Sequence, residues 1–380
     1  MKIVLAGGGT GGHFYPLVAV AESIHDIVDE RRLVEPQLFY IGPAPFDAQV
    51  LIEQDIVYVP GTAGRTRRYT SILNFLDVFK TGWGIVRALA QLFSIYPDAV
   101  FSTGGFAAFP TLVAARLLRI PVIIYDADAA PGRVSLWSSR FARAIAVAHS
   151  EAIAAFPAKV QEIIARTGHP IRAGVEEPTH EGGSEFLKLD PNAKTVFIMG
   201  GSQGATSINE VVLNALPTLV KDYNIVHQTG RANLESVEGV AGVVLRDSEF
   251  RTRYRPFGLL NVLALRMAAG LAGLVVARAG SGTIFEVASW GLPAVLIPLP
   301  LDISHDQTEN AFSYARAGAA VVLEQHNLTP HLLIAEIDRI MNDEALREKM
   351  SAAAKAYARP QAARTIAEMI MQTALEHQKV

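Results

Sequence analysis

Two glycine-rich turns, each placed directly after a short apolar run, constrain this chain more than any other feature. Gly7-Gly8-Gly9-Thr10-Gly11-Gly12-His13 follows Ile3-Val4-Leu5-Ala6, and Gly200-Gly201-Ser202-Gln203-Gly204-Ala205 follows Val196-Phe197-Ile198-Met199. A buried parallel strand handing over to a helix has this form. Free backbone N–H groups and the helix dipole there favour a negative charge, typically a phosphate. Two such starts, one opening each half, predict two similar α/β domains facing each other across a cleft.

The rest of the chain agrees with that reading. Short continuous apolar runs alternate with helix-length segments: Lys2–Ala6, Gln37–Ile41, Ile56–Val59, Ala99–Ser102, Val122–Tyr125 and Ala144–Ala148 in the first half. Thr195–Met199, Asn224–Gln228, Leu271–Ala277, Ala294–Ile297 and Ala319–Leu323 follow in the second. Continuous rather than alternating hydrophobicity means strands buried on both faces, hence doubly wound parallel sheets. The expected division is a first domain over 1–172, a polar linker over 173–194, a second domain over 195–358, and a final segment, 359–380, that could pack back on the first domain. With 380 residues, half of them apolar, the chain can fill two cores.

Composition narrows the chemistry. There is no cysteine, so disulfides and thiolate metal sites are excluded, as fits a reducing cytoplasm. The first strand starts at Lys2, which leaves no room for a cleavable leader. The greasiest stretch, Ile72 to Val86, is broken by Asn74, Asp77, Lys80 and Thr81 and falls short of the ~20 apolar residues of a membrane span. The net charge of −3 hides an asymmetry: residues 61–150 carry ten Lys/Arg against four Asp and no Glu, a local +6 that leaves −9 elsewhere. An anionic partner on that side, phosphate or a membrane surface, is one reading; arginines scattered on a solvated face are the other.

Individual motifs leave alternatives open. Gly7, Gly9 and Gly12 fit the dinucleotide fingerprint, but the second strand ends in Tyr40-Ile41-Gly42-Pro43 without the ribose-binding carboxylate, which disfavours NAD. His13 closes the turn, either as a base for an attacking hydroxyl or as a residue that merely caps and packs. Arg278-Ala279-Gly280-Ser281-Gly282-Thr283-Ile284-Phe285-Glu286 is a third strand–turn–helix start. Glu286 would lie in its first helical turn, where it could grip both hydroxyls of a ribose. It could equally complement the dipole or close a capping box from Thr283. The polar set from Asp302 to Asn310 suits a sugar or an ordinary helix start. Asp126-Ala127-Asp128 has the spacing of a metal-holding pair but no third ligand in view.

Taken together, these motifs resemble the MurG family. The residues that carry the resemblance are Gly8 to His13, Thr103-Gly104-Gly105-Phe106, Gly168-His169-Pro170-Ile171-Arg172, Gly200 to Ala205, His227-Gln228-Thr229-Gly230, Arg278 to Glu286, and Gln307 with Asn310. Seven matches in order span nearly the whole chain. The resemblance implies the GT-B architecture of two Rossmann-like domains, and an inverting, metal-independent transferase. Such an enzyme moves N-acetylglucosamine from UDP-N-acetylglucosamine to the C4 hydroxyl of lipid I, the undecaprenyl-diphosphate-linked muramyl peptide, to form lipid II in peptidoglycan synthesis. No cofactor and no nucleic acid are implied. The alternatives are a UDP-N-acetylglucosamine 2-epimerase and a GT-B transferase acting on another lipid.

By position, the resemblance implies that Ser202 and Arg172 contact the donor diphosphate, Glu286 the ribose and Gln307 sugar hydroxyls. The turn Ser281, Gly282, Thr283, Ile284 with Phe285 would offer N–H groups to phosphate and sugar, and the backbone of Leu260 would read uracil. Thr10, Gly11, Gly12 and His13 would face the acceptor diphosphate and the reacting carbon, with His13 as base. Three departures lie near the sugar. Tyr125-Asp126-Ala127-Asp128 stands for a common His-Glu-Gln-Asn, so that Asp128 replaces an amide; His169 replaces an Asn, and Asp306 an amide or imidazole. A lipid-linked acceptor also implies a peripheral enzyme at the cytoplasmic face of the membrane. Arg65, Arg67 and Arg68, followed by Ile72, Phe75 and Trp83 on an amphipathic helix, form the expected contact with an anionic bilayer; Leu76 and Phe79 are expected to turn inward instead.

Overall fold

The structure is a computed structural model that describes residues 1–64, 72–201, 204–301, 303 and 305–378, with backbone only for 72–76, 78 and 305. The chain forms two compact units, Met1–Ala173 with Arg359–Val380, and Gly174–Ala358.

The first unit is built on seven strands: β1 (Lys2–Ala6), β2 (Gln37–Gly42), β3 (Ile56–Pro60), β4 (Ala99–Ser102), β5 (Val122–Asp126), β6 (Ala144–Val147) and β7 (Ile164–Arg166). They are all parallel, in the order β3-β2-β1-β4-β5-β6-β7. The second holds β8 (Lys194–Met199), β9 (Tyr223–Gln228), β10 (Tyr254–Phe257), β11 (Ala272–Ala277), β12 (Ala294–Leu296) and β13 (Ala320–Val322). Their order is β10-β9-β8-β11-β12-β13, again all parallel. The central strands are buried on both faces, Ile3 to Ala6 and Val196 to Ile198 among them, because helices cover both sides of each sheet. That is why they read as unbroken apolar runs.

Two edge strands escape the sequence pattern. β7 buries neither Ile164 nor Ala165 fully and exposes Arg166, while β10 buries only Tyr254 and carries Pro256. A half-exposed edge needs no apolar run and tolerates proline. Residues 174–194, expected as a linker, are a structured part of the second unit. Val175, Leu187 and Leu189 are buried, the Trp290 indole donates to the Val175 carbonyl at 2.8 Å, and Arg253 pairs with Asp190 at 2.9 Å. The last helix, Ala362–Gln378, lies along the helix Gly11–Arg31 of the first unit. It buries Ile366, Ile370 and Met371, and Arg364 makes a bidentate pair with Glu30 at 2.9 and 2.7 Å.

Each sheet reverses its winding direction once. In the first the reversal falls between β1 and β4, in the second between β8 and β11. Ligands of doubly wound sheets bind outside the carboxyl ends of the strands at such switch points, and both glycine turns lie there.

Candidate active site

In the first unit, register sets Ala6 of β1 against Ser102 of β4, so the loops after these strands emerge side by side. The first is tightly built. Gly8 and Gly9 have φ of +95° and +93°, and a Cβ on Gly8 would collide with the Tyr40 hydroxyl, which donates to the Gly7 carbonyl at 3.2 Å. The helix then starts at Gly11, with Thr10 as N-cap and no side chain bonded to the cap. Its first N–H groups therefore face outward without an intrahelical acceptor.

His13 is fixed by the neighbouring loop. Its Nδ1 lies 2.9 Å from the Thr103 carbonyl oxygen, and the Thr103 hydroxyl donates to the His13 carbonyl at 2.8 Å. A carbonyl only accepts, so Nδ1 carries a proton, which leaves Nε2 as the nitrogen whose lone pair can act as a base. Nε2 stands over Gly105, 3.5 Å from where a Cβ on that residue would be. Thr103, to which no role was assigned from sequence, is thus what orients His13; its signal was a second glycine turn following a strand.

The next strand ends carry buried ionisable groups. Asp126, closing β5, accepts from the N–H groups of Asp128 (3.3 Å) and Gly132 (3.1 Å). Burial and the charge of Asp128 push its carboxyl up to about 7, against the lowering effect of those bonds and of Ser135. Its oxygens serve the 126–132 loop, so the Asp126 carboxyl group clamps that loop. Among the described residues no three His, Asp or Glu side chains gather as metal ligands would. Asp128 itself is half-buried. Tyr125 shares a 2.7 Å hydrogen bond with His169 Nδ1. Burial pushes His169 down to about 3 and His149 down to about 4, so both rings are neutral.

In the second unit, Ala277 of β11 is in register with Met199 of β8 and Leu296 of β12, which brings the Gly200 and Arg278 turns together. Gly201 and Gly204 both have φ of +78°; Ser202, expected on the donor diphosphate, lies outside the described residues. The Arg278 guanidinium donates to the carbonyls of Ile297 (3.2 Å) and Pro298 (3.3 Å) and to the Ser207 hydroxyl (2.8 Å), tying three strand ends into one floor. The helix that follows runs Ser281–Trp290 with Gly280 as N-cap. Two expectations change as a result. Thr283 is the third helical residue, so no capping box forms, and Glu286 lies in the second turn. Ser281, Ile284 and Phe285 are buried, while Gly282, Thr283 and Glu286 are half-buried.

Three further bonds shape this edge. The Leu260 N–H donates to Gln228 Oε1 at 3.2 Å, a pairing across β9 and β10 that local sequence could not signal. Gln307 Oε1 accepts from the Leu299 N–H at 3.1 Å, and the buried Asn310 donates to the Ala279 carbonyl at 3.4 Å. Below them, His227 donates from Nε2 to Asn209 Oδ1 (3.1 Å) and accepts at Nδ1 from Tyr254 (2.9 Å); burial pushes it down to about 3.

Arg172 lies in the first unit, as Asp128 does, unlike the other residues expected on the donor. Its guanidinium sits 3.9 Å from the Tyr15 ring centroid. On the helix Ile72–Ile95, Trp83 is 65% exposed, and so is Phe79 at 63%, which corrects the inward placement of Phe79. Phe79, Trp83, Val86, Ala90 and Phe93 form one exposed stripe with Lys80 and Arg87 beside it. Arg65, Arg67 and Arg68 lie outside the described residues, as do the side chains of Ile72, Phe75 and Leu76. No described helix is long and apolar enough to cross a membrane.

Comparison with known proteins follows the same division. Residues 3–147 match the glycosyltransferase family 28 N-terminal domain and residues 195–366 its C-terminal domain. The UDP-N-acetylglucosamine–N-acetylmuramyl-(pentapeptide) pyrophosphoryl-undecaprenol N-acetylglucosamine transferase of Treponema denticola is 33% identical over 92% of this chain and 89% of its own. The crystal structure of Acinetobacter baumannii MurG superposes with a TM-score of 0.73 at 26% identity, covering 98% of this chain and 99% of that one. A putative UDP-N-acetylglucosamine 2-epimerase from Listeria monocytogenes reaches 0.69 at 16% identity, over 99% and 96%. That second likeness is one of fold alone.

Proposed function

The chain belongs to the MurG family of glycosyltransferases, and from that premise we propose that it transfers N-acetylglucosamine from UDP-N-acetylglucosamine to lipid I, yielding lipid II and UDP. The reading is carried by identity with curated transferases along nearly the full length of the chain. The epimerase alternative shares only the fold.

The reaction is a single displacement with inversion. The muramyl C4 oxygen bonds to the anomeric carbon as that carbon's bond to the diphosphate breaks, and the hydroxyl proton passes to a base. His13 Nε2 suits that base, since the Thr103 carbonyl occupies the other nitrogen and positions the ring before substrate arrives. The N–H groups at Thr10, Gly11 and Gly12 meet the acceptor diphosphate. In the second unit the Ile284 N–H closes the first helical turn on the Gly280 carbonyl, while the N–H groups of Ser281, Gly282 and Thr283, beside Ile284 and Phe285, face the donor phosphate. There charge develops as UDP leaves, so preorganised donors act where they help most. Glu286 takes the ribose, Leu260 the uracil through its backbone, and Gln307 the sugar. Ser202 and Arg172 add to the diphosphate contacts, and Asp128 accepts from a sugar hydroxyl. The Leu260 N–H and Gln307 Oε1 already have protein partners, so donor binding exchanges those bonds for new ones.

The lipid anchor of the acceptor requires the enzyme to work at a membrane surface, on the cytoplasmic face where UDP-sugars occur. The exposed stripe around Phe79 and Trp83, with Arg65, Arg67 and Arg68 preceding it in sequence, suits an anionic interface. The deciding assay supplies radiolabelled donor with and without a lipid I analogue. Acceptor-dependent formation of a β-linked disaccharide is expected. Acceptor-independent conversion of the donor would show an epimerase instead.

A further inference from the structure

Two aromatic rings flank the first glycine turn, and neither belongs to the core. Phe106, in the first turn of the helix Gly105–Leu117, lies 3.7 Å from where a Cβ on Gly9 would stand; Phe46 lies 3.7 Å from the same point on Gly11. Between them Thr10 is exposed. Phe106 is 39% and Phe46 41% exposed. The ring of Tyr15 meets Phe46 edge-on, with centroids 5.5 Å apart, and carries the Arg172 guanidinium on its face. One end of this surface is therefore cationic and rich in N–H groups, while its flanks are apolar and aromatic.

We propose that Phe46 and Phe106 grip the first isoprenyl units of the acceptor, next to its diphosphate. This rests on the reading that the first glycine turn takes that diphosphate. A diphosphate ester of a polyprenol changes from doubly charged to wholly apolar across a single C–O bond. The surface around Thr10 changes in the same way over one residue to either side. Topology supplies an exit for the remaining chain. β3 ends at the carboxyl edge of the sheet, and the helix Ile72–Ile95 starts there and returns to the amino edge, where Asp98 pairs with Lys2. Phe79 and Trp83, in the first half of that helix, thus open the exposed apolar stripe on the edge that holds Phe46 and Phe106. Gly84 meets Pro110 of the helix that carries Phe106 in its first turn, so the two helices adjoin.

The experiment compares two acceptors that share sugar, peptide and diphosphate, one esterified with a polyprenyl chain and the other with methyl. In the double variant Phe46→Ala/Phe106→Ala, kcat/KM for the polyprenyl acceptor should fall by ~10²-fold, about ten-fold per ring face uncovered, and that for the methyl ester by less than about two-fold. A far-UV circular dichroism spectrum and a melting profile like the parent's certify the fold of the first unit, since UDP affinity reports on the other. Equal losses for both acceptors, or no loss for either, would overturn the proposal. Gly9→Ala, at a φ of +93°, tests the underlying reading separately. It should depress both acceptors alike while UDP binding holds, and unchanged turnover of both would show that the turn does not take the diphosphate.

Discussion

A single methyl group at Gly105 should silence the enzyme while barely weakening its fold. Gly105 has φ of +75°, so Gly105→Ala costs about 1–2 kcal/mol of left-handed strain. The new Cβ meets nothing closer than His13, at 3.5 Å from Nε2 and 3.7 Å from two ring carbons, so no steric penalty adds to it. For a domain of this size the loss corresponds to a Tm lower by roughly 2–8 °C. Catalysis should suffer more. The methyl stands in van der Waals contact with the one imidazole nitrogen free to take a proton, where the acceptor hydroxyl must come within about 2.6–3.2 Å. Losing general-base assistance costs about 10²–10⁴-fold in kcat, and His13→Ala sets the reference level. UDP titration calorimetry, with continuous UDP-release kinetics on the same preparation, separates the effects. The proposed UDP contacts other than Arg172 lie in the other unit, and the new Cβ meets His13 rather than Arg172, so UDP affinity should match the parent. Turnover within three-fold of the parent, in a variant that binds UDP normally, would refute the placement of the reaction at Nε2.

Three other outcomes follow from the same geometry. Glu286→Ala should weaken UDP by about ten- to 150-fold, the worth of a hydrogen bond to a charged acceptor, and unaltered calorimetric affinity in a folded variant would remove Glu286 from the ribose. Replacing Arg65, Arg67, Arg68 and Trp83 together should cut sedimentation with anionic vesicles by roughly a hundred-fold or more at low salt, with parent binding itself falling as salt rises; equal binding by both proteins would relocate the membrane contact. His227 sits far below its unfolded pKa of about 6.5, so the unfolded chain binds the extra proton and stability drains away as pH falls from about 6.5 towards 3. Buried Asp126 and half-buried Glu176, both pushed up to about 7, work in the opposite sense, and His149 and His169 in the same sense as His227. His227→Gln should therefore show a shallower decline of urea midpoint below pH 6.5 than the parent, and superimposable acid limbs would show that His227 titrates normally.

The strands that build the two sheets were legible because burial on both faces leaves a mark on every residue: Ile3 to Ala6 and Val196 to Met199 are apolar without interruption. β7 and β10 were not, because an edge strand such as Tyr254–Phe257 has one side to satisfy and can hold a proline. The glycine turns announced themselves as strand-to-helix joints. Their partners were hidden, since His13 meets Thr103 only through a crossover that sets β4 beside β1, and Gln228 meets Leu260 across 32 residues of chain. Helix phase was misread at Glu286 for a local reason. Gly280 caps the helix through its extended backbone, with φ of −69° and ψ of 141°, and needs no side chain that a sequence could display. Phe79 misled in the opposite way, as a large apolar residue at helical spacing that faces outward.

The closing helix Ala362–Gln378 makes the first unit discontinuous in sequence, with the whole of the second unit inserted between Ala173 and Arg359. On the ribosome, the surface of the Gly11–Arg31 helix that Ile366, Ile370 and Met371 cover must wait until those residues have been translated. The inserted unit, by contrast, has every strand of its sheet in hand before that helix emerges. Maturation is thereby ordered from the inside of the gene outward. A chain terminated before Ala362 would hold a finished second unit joined to a first unit whose Gly11–Arg31 helix stays uncovered.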